Sequence, residues 1–263
     1  GDPSAAVGHL LGAAEQSAAS SDLASAETYY RQAIELIDAG HPDPERRVAA
    51  TIGLGSAQRD QSNQEFRETL LEATNAALAL DRPDLAAQAA IANFRGVTSV
   101  INDVDRERVD ALERTIAAHE ARRTAEVAML LATLVAEIGY DIDVPVERRL
   151  ALTDLAIEIA REVGEPRVLA EVLVRAARSN LLPDRVEVAR ALVPESVALA
   201  DAAGDPTLSA LARLFEQVMC LGIGEIARGE QTLATALRVA ETDCPPMVLA
   251  LCRVNTVQYL LYA

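Results

Sequence analysis

The chain has 263 residues and a formal net charge of −16, and every one of its 24 cationic residues is arginine. The lack of lysine excludes a Walker A phosphate loop, a lysine Schiff base and a lysine general base within these residues. The arginines are interspersed with carboxylates, which argues against direct binding to nucleic acid or to anionic lipid.

The patterns of cysteine, histidine and apolar residues predict a cytoplasmic protein without a bound metal or cofactor. Cys220, Cys244 and Cys252 form no CxxC pair, and such residues are usually small buried side chains in a reducing compartment. The histidines lack the spacing of metal ligands. The longest apolar stretch, at 127–136, is about half the length that a membrane-spanning helix needs.

Prolines divide the chain at nearly regular intervals of about 40 residues, which is the mark of an internal repeat. The prolines that open a helical stretch are Pro3, Pro44, Pro83, Pro166, Pro206 and Pro245. The longer gap after Pro83 spans two intervals, and its midpoint falls near Thr124, where another apolar helix begins. Gly or Asp followed by Pro is a common way to end one helix and begin the next.

Within each interval the pattern is helix, short turn, helix. The first helix is predicted at 5–17, and a cap at Ser21 and Asp22 precedes the second. The apolar face of that second helix consists of Ala26, Tyr30, Ala33 and Ile37. Later helices are predicted at 146–163, 168–181, 184–203 with a kink at Pro194, 208–222, 229–241 and 247–263. No segment alternates with period two, so strands are not expected.

A single helical hairpin cannot bury its own apolar face, whereas stacked hairpins can. The sequence therefore predicts an all-α fold, an α–α superhelix or solenoid of about six helical hairpins plus one terminal helix. Residues 1–263 are expected to form one such domain. The apolar end around Tyr259 and Tyr262 indicates that the domain is a fragment of a larger multidomain protein.

The segment AETYYRQAIEL at 26–36 resembles the second helix of a tetratricopeptide repeat. Ala26, Tyr30 and Ala33 match the positions that lock the two helices of that repeat together. The later intervals depart from the family, because they are nearer 40 than 34 residues and lack its Trp-Leu-Gly-Tyr signature. The resemblance implies a tetratricopeptide-like solenoid made of divergent repeats.

The chain as a whole resembles the helical repeat region of large actinobacterial-style transcriptional regulators that contain an ATPase module. These include the large ATP-binding LuxR-family regulators and their cyclase–ATPase relatives. Residues 12–36, 67–84 and 155–169 carry the resemblance. It implies a non-catalytic domain that works with an ATPase or DNA-binding module, and neither module lies within these 263 residues.

Polar residues recur inside the otherwise apolar first helices of the hairpins, and in a solenoid these helices line the binding surface. The candidate residues for ligand or peptide binding are Asn93, Arg95, Arg175, Arg178, Arg213, Gln217 and Asn255. Guanidinium groups bind carboxylates bidentately, so such a groove would suit an acidic helix or a peptide carboxylate. The alternative is that each arginine pairs with an acid of the chain and that Asn93 and Asn255 form hydrogen bonds between helices.

The sequence therefore favours a sensor or scaffold domain that binds a protein, a peptide or an effector, or the missing modules of its own chain. One alternative is a small-molecule receptor with a pocket near Phe94, Met129 and Phe215. Another is a structural spacer or a homodimer that associates through Tyr259 and Tyr262. No enzyme is expected, because the chain has no GxSxG nucleophile elbow. Calcium binding is not expected either, because the chain has no EF-hand loop.

Overall fold

A computed structural model describes residues 3–40, 42–95, 104–139, 141–180, 185–244 and 246–262. Side chains are described for these residues except 3, 178–180, 246 and 258–262. The described chain is helical and contains no strand, which confirms the all-α prediction. Its helices are α1 (Pro3–Ala19), α2 (Leu23–Ala39), α3 (Pro44–Asp60), α4 (Phe66–Ala79), α5 (Pro83–Ala92), α6 (Arg106–Ala118), α7 (Ala125–Ile138), α8 (Val146–Val163), α9 (Pro166–Asn180), α10 (Val186–Ala202), α11 (Pro206–Gly222), α12 (Ile226–Asp243) and α13 (Pro246–Tyr262).

The positions of the helices follow the proline pattern closely. Six odd-numbered helices begin at a proline, and the last of them begins at Pro246 rather than at Pro245. The helix expected near Thr124 is α7, whose first turn is capped by the Thr124 hydroxyl. The helix predicted at 146–163 has the bounds of α8, and Pro194 lies inside α10.

Short polar caps and left-handed residues set the ends of the helices. The carboxylates of Asp22, Asp43, Asp105 and Asp205 each accept a backbone N–H from the first turn of the following helix. Turns between helices use residues with positive φ, which reverse the chain in few residues. These residues are Ser21, Ser62, Asp81, Glu120, Ala121, Gly164, Gly204 and Gly224.

The chain divides into two compact units, of which unit 1 holds α1–α6 and unit 2 holds α7–α13. In unit 1 each helix packs against the next, and α3 also contacts α1 and α5. The predicted apolar face of α2 is buried as expected. Gly53 of α3 lies directly against the Tyr30 ring, and a Cβ on Gly55 would lie 2.5 Å from Leu70 Cγ. Small residues therefore let α3 approach both neighbouring helices closely.

In unit 2 the odd-numbered helices form a series, because α7 contacts α9, α9 contacts α11 and α11 contacts α13. Nearly every side chain of α7 is buried. One cluster packs Ala170 and Val174 of α9 against α10 and α11. A second packs Ala210 and Leu214 of α11 against α12 and α13. Alanine-rich contacts of this kind allow the helix axes to lie close together.

Arginine side chains join helices at a recurring sequence separation. Hydrogen bonds link Arg46 to Ser4 across 42 positions, Arg123 to Glu162 across 39 and Arg167 to Asp205 across 38. The pairs Arg67–Asp105 and Arg114–Asn75 span 38 and 39 positions. These separations are close to the interval between the prolines that begin the odd-numbered helices.

Candidate functional site

Three arginines lie on consecutive odd-numbered helices of unit 2. Arg175 lies nine residues after the proline that begins α9. Arg213 and Arg253 lie at the same distance from the prolines that begin α11 and α13. The three helices contact one another in series. We call Arg175, Arg213 and Arg253 the arginine stripe.

Arg175 is held against α7. Its Nη1 donates a hydrogen bond of 2.7 Å to the Thr133 hydroxyl, and its Nη2 lies 3.9 Å from Glu171 Oε2. Thr133 in turn donates its hydroxyl proton to the Met129 carbonyl at 2.7 Å. The hydrogen bond to Thr133 therefore holds the Arg175 side chain, which is 15% exposed, against α7.

A buried ion pair lies one helical turn further along α7. Arg95 Nη2 lies 2.5 Å from Glu137 Oε1, and Arg95 Nε lies 3.2 Å from Oε2. The Glu137 side chain is 3% exposed. Thr133 and Glu137 are four residues apart and therefore share one face of α7, which holds Arg95 and Arg175 at adjacent turns.

Sequence reasoning named Arg95 and Arg175 but missed Thr133 and Glu137, to which they bind. A signal was present, since Glu137 is a lone carboxylate that directly follows the apolar stretch of α7. A carboxylate in such a stretch is rarely fully buried unless a cation pairs with it.

Arg213 binds Asp201 through both arms of its guanidinium. Nη1 and Nη2 each lie 2.7 Å from a carboxylate oxygen, and Nη1 also donates to the Ser209 hydroxyl at 2.5 Å. The hydrogen bond from Arg213 outweighs burial and holds the pKa of Asp201 below its ordinary value. The same pairing raises the pKa of Arg213. This geometry is the bidentate guanidinium–carboxylate pair that was considered for a ligand, formed here within the chain.

Arg253 differs from the other two members of the stripe. Its side chain is exposed, and it has no hydrogen-bond or ion-pair partner among the described residues. Glu241 of α12 precedes Arg253 by the same number of residues as Asp201 precedes Arg213. However, Glu241 and Arg253, both of which the structure describes, form no ion pair. Arg253 is therefore a cation available at the α13 end of the stripe.

Of the remaining predicted residues, Asn93 and Asn255 are hydrogen-bonded within the chain, whereas Gln217 is buried with an oxygen that is unpaired within the described ranges. Asn93 belongs to unit 1, where its Nδ2 donates to the Arg67 carbonyl at 3.2 Å and its Oδ1 accepts from Arg108 at 3.0 Å. Asn255 donates to the Leu251 carbonyl of its own helix at 3.0 Å. Gln217 is 1% exposed, and its Oε1 has no partner among the described residues. The Arg178 side chain lies outside the described residues.

The hydrogen bonds of Asn93 are part of a buried polar network in unit 1 that sequence reasoning did not anticipate. Arg67 donates to both oxygens of Asp105, at 2.5 and 2.8 Å. Burial alone would raise the pKa of Asp105, but hydrogen bonds from Arg67 and the Arg108 backbone lower it below its ordinary value. The Arg108 guanidinium lies 5.3 Å from the centre of the Phe66 ring, within the range of a cation–π contact. The network ties α4, α5 and α6 together.

Cys244 and Cys252 pack in one hydrophobic cluster of unit 2, and Cys220 packs in another. Cys220 and Cys252 are buried and Cys244 is partly buried, and burial raises the pKa of Cys252 to about 11. His119 lies in the turn after α6 and is buried, with Nδ1 2.8 Å from the Thr115 carbonyl oxygen. Within the described ranges, no group of three or more His, Cys, Asp or Glu residues could hold a metal ion. None of the helices in the described part of the chain is long and apolar enough to cross a membrane.

Two open grooves lie between even-numbered helices. One, of about 510 Å³, lies between α8 and α10 and is lined by residues such as Asp154, Ile157 and Arg185. The other, of about 630 Å³, lies between α4 and α6 and is lined mainly by charged side chains. Met129 and Phe215, which were expected near a small-molecule pocket, are buried in the core of unit 2 and line neither groove.

Comparison with protein-family models and with curated proteins finds no match to the chain.

Proposed function

We propose that the chain is a non-catalytic binding domain of a signalling or transcriptional regulator, which holds a protein or peptide partner along the odd-numbered helices of unit 2. The observation that carries the proposal is the arginine stripe. Arg213 and Arg253 lie at corresponding positions of α11 and α13, and Arg175 lies on α9, which contacts α11. A surface built in this way presents equivalent side chains at regular steps to an extended or helical partner.

The chemistry of the stripe favours a carboxylate-bearing partner. Arg253 is exposed and available, whereas Arg175 and Arg213 are fixed by Thr133 and Asp201. Arg253 is therefore the member of the stripe that offers both arms of its guanidinium to a carboxylate. The chain as a whole is strongly acidic, so binding of a carboxylate requires a local cation such as Arg253.

The helix pairs of each unit are proposed to be divergent repeats of a tetratricopeptide-like solenoid. Three features support this. Ala26, Tyr30 and Ala33 are buried on α2, Gly53 receives the Tyr30 ring, and arginine contacts recur at separations near 40 positions. In a cytoplasmic regulator of the kind the sequence resembles, such a domain would report partner binding to an ATPase or DNA-binding module.

A charge-reversal comparison tests the proposed function. The chain and its Arg253→Glu variant would be used for affinity capture from cells that naturally produce it, with quantification by mass spectrometry. Arg190→Glu is the matched control, because Arg190 is an exposed arginine of α10 outside the stripe. We expect a protein that the wild type and the control retain and that Arg253→Glu loses. Identical capture by all three chains, or capture of none, would contradict the proposal.

A further inference from the structure

Helix α13 presents an exposed apolar face. Met247, Val254 and Val257 are 49%, 54% and 59% exposed, and Ala250 lies exposed among them. Their spacing of three, four and three residues places all four on one side of the helix. We call these four residues the α13 face. Large side chains exposed together in this way commonly mark an interaction surface.

The residues that correspond to Ala250 and Val254 in the preceding odd-numbered helices are buried. Ala170 and Val174 of α9 pack against Ala200, Leu208, Ala212 and Phe215 of α10 and α11. Ala210 and Leu214 of α11 pack against Leu233, Ala236, Ala240, Val248 and Cys252 of α12 and α13. Ala250 and Val254 lie at the same distance from Pro246 as Ala210 and Leu214 lie from Pro206. The α13 face therefore continues an interface that is formed twice within unit 2.

The interface formed by α11 shows what kind of surface fits such a face. The side of α12 that packs there carries Leu233, Ala236 and Ala240, spaced by three and four residues. One large and two small side chains let α12 pack closely against Ala210 and Leu214 of α11. A helix with this stripe is complementary to Ala250 and Val254 for the same reason.

The charge of α13 distinguishes between possible occupants. Arg253 is the only charged residue of α13, it flanks the α13 face, and it has no partner among the described residues. Two copies of α13 packed face to face would bring two arginines together without a carboxylate from either helix, which is unfavourable. A partner helix with an acidic residue beside its apolar stripe meets both the apolar surface and the cation.

We infer that the α13 face binds an amphipathic α-helix of a partner protein, with a leucine–alanine–alanine stripe like that of α12 and a carboxylate placed to meet Arg253. The helix packs on α13 as α12 packs on α11. This inference rests on the proposed function in treating unit 2 as a protein-binding surface, and it names the partner chemistry at the α13 end. The inference depends on Ala250 and Val254, and the capture experiment with Arg253→Glu does not test these two residues.

The probe is a fluorescein-labelled synthetic peptide with the sequence of α12, residues 226–243, titrated with the complete 263-residue chain and followed by fluorescence anisotropy. A second peptide carries Leu233→Asp and Ala236→Asp. The chain variants are Val254→Asp and Val257→Asp, and the control is Ile142→Asp, because Ile142 is 75% exposed and lies between α7 and α8. Circular dichroism checks that each variant keeps its helical content.

We expect the wild type and Ile142→Asp to bind the α12 peptide equally and both α13 variants to bind it at least tenfold more weakly. The peptide with two aspartates should not bind. Failure of the wild type to bind, or equal binding by the α13 variants, overturns the inference. If sedimentation shows a dimer of the wild type that Val254→Asp dissociates, a second copy is the occupant and the inference is wrong. Any of these results leaves the Arg253→Glu comparison to decide the proposed function separately.

Discussion

Arg213 and Asp201 form a bidentate ion pair in which each guanidinium Nη lies 2.7 Å from a different carboxylate oxygen. Asp201 lies near the C-terminus of α10, and Arg213 lies in the middle of α11, so the pair joins two consecutive helices. An arginine of the stripe therefore serves the fold as well as the proposed binding surface. The same holds for Arg175, which α7 orients through Thr133.

The Arg213–Asp201 pair makes stability depend on pH in a predictable direction. The pKa of Asp201 in the folded chain is below its ordinary value of 3.8 because Arg213 and Ser209 donate hydrogen bonds to it. The stabilisation is therefore present above about pH 4 and is lost as pH falls through the folded-state pKa.

Asp201→Asn should lower the free energy of unfolding by about 1 kcal/mol or less at pH 7, since Asp201 is half-exposed. The difference from the wild type should shrink at pH 3, as measured by urea denaturation at both pH values. Glu35→Gln is the control, because Glu35 is exposed and takes part in no ion pair among the described residues. A difference that stays constant with pH would show that the pair contributes nothing through ionisation.

Removing the Glu137 carboxylate should lower the free energy of unfolding much more than removing that of Asp201, because the Glu137 side chain is only 3% exposed. Glu137→Ala leaves the Arg95 charge partly buried without this carboxylate and should cost about 3–5 kcal/mol of unfolding free energy. The double variant Arg95→Met with Glu137→Leu should recover most of that loss, because it removes both charges. A double-mutant cycle by urea denaturation measures the coupling, and strictly additive effects would argue against the pair.

Substitution by alanine at two glycines of unit 1 should change the stability of the chain in opposite directions. Gly12 in α1 has no atom within 4 Å of an added Cβ, so Gly12→Ala should stabilise the chain by about 1 kcal/mol through helix propensity. On Gly55, the added Cβ would lie 2.5 Å from Leu70 Cγ, and Leu70 is fully buried. Gly55→Ala should therefore destabilise by about 1–3 kcal/mol. Thermal unfolding followed by circular dichroism compares the two variants, and stabilisation by both would show that α3 and α4 are not in close contact.

The turns offer a second pair of opposite effects. Ala121 has φ of 59°, a left-handed conformation that is unfavourable for a residue with a Cβ. Ala121→Gly should stabilise by about 1 kcal/mol. Gly164 has φ of 74° at the end of α8, so Gly164→Ala should destabilise by a similar amount although nothing lies near its Cβ. If the unfolding free energies of the two variants change in the same direction, then Ala121 or Gly164 does not have a left-handed backbone conformation.

Much of the helical layout could be predicted from the sequence because its signals are local. Pro44 and Pro206 mark helix starts, Asp22 and Asp205 cap first turns, and the face of α2 follows from helical spacing alone. The division into two compact units was not anticipated, since no change in composition marks residues 95–122.

The partners of the candidate residues could not be predicted in the same way. Glu137 and Arg95 are 42 positions apart, and Arg175 and Thr133 are also 42 positions apart. Which acid an arginine meets depends on how neighbouring helices are aligned, and many carboxylates in this acidic chain are equally near in sequence. The exposure of Arg253 and of the α13 face likewise depends on which neighbours cover a helix, which periodicity alone does not determine.

The most direct test of the arginine stripe is calorimetric titration of the chain with an octaglutamate peptide at low ionic strength. At a net charge of −16, the chain as a whole should repel this peptide, so binding requires a local cationic site. We predict that the wild type and Arg190→Gln bind octaglutamate, that Arg253→Gln binds it at least tenfold more weakly, and that added salt weakens binding. If the wild type shows no binding, or if Arg253→Gln binds as well as Arg190→Gln, the stripe is not a carboxylate-binding surface.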